Sequence, residues 1–490
     1  MLHLFSHKSA SEDAGREFFP ALKKLFSDCA DFSSRELAPG ADTHGRFTLC
    51  WLDGLISGSE LAETVLRPLA ESEELAACRT DEECRAAILR GAVWCASASP
   101  CADTEAAAFA LTHGQCVLCI GSLALGFEAR SSHFRDVSEP SVEKSVLGAR
   151  DAFTEVYRVN TALIRRRLAT PKLKLRELTL GRESLTQAGV LYCEGAARSE
   201  TAEELLRRLQ SARIDSISSI GDIEVAIADR PRSVFPRFLY TERPDRLCRA
   251  LLDGRVALLA DGFPFALIAP CTLPELLRTE EDRALHSIAA GVIVALRWLG
   301  LLLALTLPAL YAAVSLYHQE LIPYKLLQSI IAAKQRVPFS TGAEITGMLI
   351  CFSLLQEAGV RLPESSGAAV SIIGTLIVGQ SAVEARVVSP VTVIVVALSA
   401  VAGYTQPNQH LGNAVRLWRF LLLLLSIAFG AFGLTAGLVV LLQKLCDTES
   451  FGVCYLYPLV DGDHRPLRRS FLRPPRAPAG QITRKGRAPK

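Results

Sequence analysis

The chain has 490 residues, room for two or three domains at about 150 residues each. Its 53 Lys and Arg against 51 Asp and Glu leave a net charge of +2, which excludes a global electrostatic commitment to nucleic acid. Half of the residues are hydrophobic although 21% are charged, and the two populations are segregated: charge is concentrated before about residue 286 and after about residue 460.

In chain order, MLHLFSHKSASEDAGREFFP lacks an uninterrupted apolar core after its basic residues, so no secretory signal is expected and the front half is expected to stay on the side of synthesis. Residues 1–45 read as a polar arm with one short amphipathic helix around Phe18–Phe26. From Phe47 the pattern becomes strand, turn, helix: FTLCWL, then DG, then SGSELAETVLRPLAE. The same order returns at AGVLYCEG and ARSETAEELLRRLQ, and the hairpin pattern of His113–Phe127 returns at Asp253–Ile268, both at an offset of about 140 residues. The fold class expected is therefore α+β with an α-helical membrane part: two related α/β lobes (46–135 and 171–286), an interlobe helical segment (136–170), a transmembrane domain (287–447) and a post-membrane segment with a basic tail (448–490).

The 14 cysteines do not read as a disulfide framework, which belongs to small secreted domains. Cys116 and Cys119 form a CxxC inside an apolar strand, where positions i and i+3 point to opposite faces. Cys78/Cys84 and Cys95/Cys101 are spaced too widely for common zinc knuckles.

Between the lobes, Ser138 or Glu139 can cap a helix with Pro140 in its first turn and Gly148 at its end. A longer helix follows, carrying Phe153, Tyr157 and Ile164 near one face and Arg165, Arg166 and Arg167 near its negative end. Thr241–Glu242–Arg243–Pro244–Asp245 reads as a helix start with Thr241 as cap.

Five apolar segments follow. Ile288–Tyr317 is long enough to span a hydrocarbon core about 30 Å thick, apolar except for Arg297, with Pro308 expected to kink it. Gly342–Ala358 is short and carries Glu344 and Gln356; Gly367–Val383 is rich in small residues. Ser389 and Pro390 cap Val391–Tyr404, and Leu417–Leu445 is the longest, with Gly430, Gly433 and Gly437 at a spacing suited to close helix contact. A cytoplasmic front half and a basic, hence cytoplasmic, tail require an even number of crossings, so either one of the five is re-entrant, Gly342–Ala358 before Gly367–Val383, or one end lies outside. The Pro- and Arg-rich tail is expected to be attracted to anionic lipid.

Phosphate-loop, zinc-helix and nucleophile-elbow signatures are absent from the sequence, and no enzyme activity, metal or cofactor is expected. Polar groups in apolar spans tend to face the bundle interior or a water path. Glu320, Glu344, Gln380 and Glu384 are thus the candidate pore or intramembrane polar residues. A carboxylate ring would favour cations.

Specific strings add to this reading. SEPSVEKSVLGARDAFTEVYRVNTALIRRRL resembles the interlobe signature of the spore germination receptor A-subunit family, through Glu139, Pro140, Glu143, Gly148, Phe153, Glu155, Asn160, Arg165, Arg166 and Arg167. YTERPDRLCRALLDGRVALLADGFPFALIAP is similar to the family run that holds Thr241, Glu242, Arg243, Pro244 and Asp245. LPALYAAVSLYHQELIP, VGQSAVEARVVSPVTVIVVAL and FGVCYLYPL resemble its membrane and post-membrane strings, so the likeness runs in order over roughly residues 47–459. Ala149 stands in place of a usual proline, Arg386 where glycine is more typical, and the basic tail is extra. The resemblance implies a spore inner-membrane protein with its soluble half facing the core. It also implies a permease-like B subunit and a lipoprotein C subunit as partners, and self-assembly, as a pentamer, into a nutrient-gated ion channel. The family includes accessory membrane proteins of the spore, so a non-conducting scaffold is the alternative.

Overall fold

The computed structural model describes residues 17–37, 47–78, 80–94, 97–130, 140, 143, 148–228, 233–335, 337–361 and 379–460. The chain divides into two compact units, the first built mainly from the residues before 271 and the second from residues 232–237 and those after 270.

The first unit holds two five-stranded antiparallel sheets. In one, β1 (Phe32–Leu37), β2 (Phe47–Leu52), β3 (Ala98–Cys101), β4 (Gln115–Ile120) and β5 (Leu123–Glu128) are ordered β1-β2-β4-β5-β3. Both faces are covered, which is why these strands read as unbroken apolar runs. Phe47, Leu49, Cys116, Leu118 and Ile120 pack with Leu61, Val65, Leu69 and Ile88. On the other face Cys50, Leu52, Val117 and Cys119 pack with Ala107 and Leu111 of helix α1 (Thr104–Thr112) and with Leu22 and Phe26. Cys116 and Cys119 therefore lie on opposite faces, as strand geometry requires, and every described cysteine is a free thiol.

Helix α2 (Tyr157–Arg167) connects this sheet to the second, formed by β6 (Leu173–Leu180), β7 (Thr186–Cys193), β8 (Leu239–Thr241), β9 (Val256–Ala260) and β10 (Ala266–Ala269). Their order is β6-β7-β9-β10-β8, which is the first order with each strand advanced by five. Helices α3 (Ser199–Ser211) and α4 (Pro244–Leu252) belong to this lobe, and α4 precedes β9 as α1 precedes β4. The repeat seen in the sequence as two offset strings is thus one topology used twice.

Two local readings are corrected. The α2 helix starts at Tyr157, so Phe153 lies before it. Asn160 turns back onto residue 154, accepting the Thr154 N–H at 2.8 Å and donating to its carbonyl at 2.6 Å, and the Tyr157 N–H is taken by the Asp261 carboxylate at 2.9 Å. Those contacts hold residues 154–156 out of the helix. The cap position of α4 is Arg243 rather than Thr241, and Pro244 occupies the first turn. The Ser138–Glu139 cap lies outside the described residues.

The second unit is helical: α5 (Ser287–Tyr317), α6 (Tyr324–Lys334), α7 (Thr341–Arg361), α8 (Pro390–Tyr404) and α9 (Gln409–Cys446). By length and composition α5 and α9 are candidate membrane spans, and α8 is a shorter apolar helix. Most of the Gly367–Val383 segment lies outside the described residues. The α5 helix runs through Pro308. Its one charge, Arg297, pairs with the buried Asp282 carboxylate and donates to the Leu277 carbonyl at 3.0 Å.

The longest element is not straight. At Gly430 the backbone leaves the helical region (φ 61°, ψ −140°). A Cβ on Gly437 would stand 2.5 Å from a methyl of Leu422, and one on Gly433 would stand 2.0 Å from the Leu425 carbonyl oxygen. Residues 422 and 437 would be about 22 Å apart along a straight helix. Helix α9 is therefore a hairpin of two arms, 409–429 and 431–446, packed through the two glycines. The Tyr317 hydroxyl donates to the Ile427 and Ala428 carbonyls at 2.8 and 3.3 Å, groups that the break frees from helical bonding.

Neighbouring contacts give the direction of each helix. Ser399 of α8 donates to the Ala304 carbonyl at 3.2 Å and Gln406 to the Arg297 carbonyl at 3.2 Å, so α8 runs antiparallel to α5. Ser426 bonds the Ala309 carbonyl, which with the Tyr317 contacts makes the first arm of α9 parallel to α5. Beyond the second arm, the Ser450 hydroxyl donates to the Arg237 carbonyl at 2.9 Å and accepts the Cys271 N–H at 3.2 Å. The Leu273 N–H reaches the Tyr455 carbonyl at 2.9 Å. The chain leaves the bundle at the end where it enters α5.

Candidate functional site

The residues singled out by the sequence lie in both units, gathered in the first and separated in the second. In the first unit, the α2 arginine Arg165 is 2% exposed and its guanidinium makes a bidentate pair with Asp31 at 2.7 and 2.8 Å, the carboxylate being fully buried. Its third nitrogen donates to the Thr170 carbonyl at 3.3 Å. Burial opposes the guanidinium charge, but the Asp31 carboxylate outweighs it and raises the pKa further. Around the same place, the Ala30 N–H bonds the Leu175 carbonyl at 2.9 Å and Lys174 donates to the Leu25 carbonyl at 2.8 Å. The segment that precedes β1 is thus tied to β6 of the other sheet. Arg167 pairs with Asp151, while Arg166 and Glu155 are exposed.

A second knot lies beside it. Glu143 accepts the Thr241 hydroxyl at 2.6 Å and pairs with Arg246, while its own N–H goes to the Glu242 carboxylate at 2.7 Å. The Phe153 N–H reaches the Glu242 carbonyl at 2.8 Å. Arg243, 3% exposed, forks onto Asp245 at 3.0 and 2.7 Å. Burial alone would raise the Asp245 pKa, but the Arg243 bonds and charge hold it below the usual carboxylate range. Pro140 is buried, and Glu139 lies outside the described residues. These residues bind segments to one another; their chemistry is that of a rigid joint.

In the bundle, the four candidate polar residues separate. Glu320 is exposed, 3.8 Å from the His318 ring; Gln380 and Glu384 are exposed. Glu344, one turn into α7, is 3% exposed. One of its oxygens accepts the Ser389 N–H at 2.8 Å and the Thr392 hydroxyl at 3.2 Å, so the carboxylate sits against the first turn of α8. The Ser389 hydroxyl caps α8 by accepting the Thr392 N–H at 3.3 Å, the role its sequence indicates. Negative charge at a helix start is favoured by the backbone dipoles.

Three participants escaped the sequence reading. Asp31 precedes Arg165 by 134 residues and no local spacing links them. Thr341 shares a face of α7 with Glu344; the i, i+3 spacing was legible once Glu344 was chosen. Arg419, 3% exposed on α9, reaches the Ser399 hydroxyl at 3.4 Å, and a charge two residues inside a predicted span was its signal.

The family model described as Bacillus/Clostridium GerA spore germination protein matches residues 20–482. Spore germination protein KA of Bacillus subtilis (strain 168) is 33% identical over 459 residues, 92% of this chain and 83% of that protein. Spore germination protein B1 of the same organism is 33% identical, covering 93% of each. An uncharacterized membrane protein of that organism, YfkQ, is also 33% identical, over 96% of this chain and 92% of its own. The crystal structure of the N-terminal domain of the A subunit of the Bacillus megaterium spore germinant receptor GerK3 aligns over 51% of this chain and 92% of its own, at 25% identity and a TM-score of 0.40.

Proposed function

The chain belongs to the GerA spore germination protein family, and from that premise we propose that it is the A subunit of a spore germinant receptor, a non-enzymatic ion-conducting component of the spore inner membrane. The observation that carries the proposal is the family match across both the α/β lobes and the helical bundle. In this reading the copies assemble as a homo-oligomer, a pentamer by the family resemblance. A permease-like B subunit and a lipoprotein C subunit complete the receptor. Nutrient binding elsewhere in the complex biases a closed–open equilibrium, which any ligand with unequal affinity for two states does.

The hairpin shapes the topology of this proposal. Helix α5 crosses once, α8 crosses back, and the arms of α9 cross out and return. The stretch from Tyr317 to Ser389 begins and ends at the same end of the bundle, so it contributes an even number of crossings. The total is then even, and the described chain ends, at residue 460, on the face where α5 begins. In this reading an even count needs no re-entrant segment, because the longest apolar segment crosses twice. With the tail's arginines on the cytoplasmic side, the lobes face the spore core.

The test is flux. Purified protein in anionic proteoliposomes, together with its B and C partners, releases trapped alkali cation on addition of nutrient; release that never exceeds that of empty vesicles, with all three subunits present and folded, overturns the conducting role. In that event the second reading, a non-conducting scaffold that supports other receptors, takes its place. The equal likeness to a membrane protein whose name carries no germination role is what keeps that reading in view.

A further inference from the structure

The Glu344 cluster has an imbalance of donors that can be counted. Ser389 and Thr392, 3% and 0% exposed, bond the carboxylate, and Thr341, 2% exposed, stands one turn before it on α7. The Thr392 N–H is spent on the Ser389 hydroxyl oxygen, and the Ser389 and Thr392 hydroxyls bond each other at 2.9 Å. The Thr392 hydroxyl and the Ser389 N–H both end on one oxygen of Glu344, Oε2. The other oxygen, Oε1, is buried and has no hydrogen-bond partner, and neither has the buried Thr341 hydroxyl one turn earlier on the same helix. Among the described residues no Lys, Arg or His comes within ion-pair distance of Glu344.

Buried polar groups are almost always paired, and a buried carboxylate without a counter-charge is among the most costly arrangements a protein can hold. Here the Thr341 hydroxyl is the one donor left unspent, and two oxygens, Glu344 Oε1 and Thr341 Oγ1, stand orphaned one turn apart on α7. What the cluster lacks is an electropositive centre that accepts several oxygens at once. Hard cations take carboxylate and hydroxyl oxygens, and a single carboxylate matches a single positive charge better than a divalent ion, which draws several carboxylates or keeps its water. We propose that Glu344 Oε1 and Thr341 Oγ1, backed by Ser389 and Thr392, bind one monovalent alkali cation inside each chain. The site joins the first turns of α7 and α8, so occupancy ties these two helices together. It lies within one chain and stands whether or not the assembled protein conducts.

The experiment is equilibrium binding of radiolabelled sodium and of rubidium, a stand-in for potassium, to the purified full-length protein in lipid nanodiscs. Thermal unfolding is followed in parallel in NaCl, KCl or N-methyl-D-glucamine chloride at equal ionic strength. The expected result is saturable binding of one ion per chain and a higher midpoint in an alkali salt than in the organic cation, both lost in Glu344→Gln. Thr341→Val weakens the binding and the salt-dependent stabilisation, yet in the organic cation it is no less stable than the parent, because it removes an unpaired hydroxyl. Should Glu344→Gln fail to fold, Thr341→Val decides alone. Absence of saturable binding in folded parent protein overturns the site. So does stabilisation by acid that is equal in all three salts, which would make the missing partner a proton. Binding needs neither a ring nor a nutrient, so its failure and a failure of flux are separate results.

Discussion

Gly430 is the position on which the hairpin depends, and Gly430→Ala is the sharpest perturbation of it. The backbone there has φ 61° and ψ −140°, close to a region that only glycine populates readily. Forcing an L-residue into such a conformation costs about 1–3 kcal/mol. The new Cβ would also stand 2.9–3.1 Å from Cδ2, Cγ and Cβ of Tyr317, which is held in place by its two carbonyl bonds. Overpacking of this kind costs about another 1–3 kcal/mol. The variant should therefore lose about 2–6 kcal/mol in equilibrium unfolding from mixed micelles of mild and denaturing detergent. In a double-mutant cycle, Tyr317→Ala should recover the steric part and leave the backbone part, giving a coupling of about 1–3 kcal/mol. A loss below about 0.5 kcal/mol for Gly430→Ala would mean that the chain does not reverse there.

Four further outcomes follow from the same geometry. Asp31→Asn leaves Arg165 buried beside a neutral amide and should cost about 3–5 kcal/mol, whereas replacing the pair together by Asp31→Leu and Arg165→Met should cost far less; denaturant titration of the full chain compares them. Asp245 has a lowered folded pKa, so its contribution is complete above the unfolded value of about pH 4 and is lost as pH falls through the folded value. The stability gap between parent and Asp245→Asn should accordingly close below about pH 4 and stay open at neutral pH, as read from thermal midpoints across a pH series. Arg386 sits at φ 57°, in the left-handed region that favours glycine, so Arg386→Gly should raise stability by roughly 1 kcal/mol. Single-cysteine labelling in a cysteine-free background should place residues 286 and 460 on one membrane face and residue 320 on the other; opposite faces for 286 and 460 would refute the even count.

The parts of the fold that were legible are those governed by local pattern. The hairpins at His113–Phe127 and Asp253–Ile268, the Ser389–Pro390 helix start and the apolar run of α5 each carry their own signal in a few neighbouring residues. Cys116 and Cys119 fell on opposite faces because a strand has a period of two whatever surrounds it. What stayed hidden depends on distant partners. Nothing near Arg165 announces Asp31, and Tyr157 starts its helix because Asp261 takes its N–H from 104 residues away. Thr241 looked like a cap because its neighbours suit a helix start, but Glu143 claims its hydroxyl. The reversal in α9 is invisible to hydropathy, since both arms are apolar; Gly430, Gly433 and Gly437 marked the close contact, and only the fold shows that the contact is between two halves of one element. Among the polar candidates Glu320, Glu344, Gln380 and Glu384, burial separates Glu344 from the rest.

The central claim is that this chain takes part in the nutrient-triggered opening of an ion path in the spore. The most direct measurement is potassium release from spores exposed to a broad nutrient mixture, compared between the parent strain, a deletion of this gene and the deletion complemented with the intact gene. The account predicts that early release is lost in the deletion and restored by complementation. Unchanged release in the deletion, in a strain where other receptor genes have been removed, would contradict it.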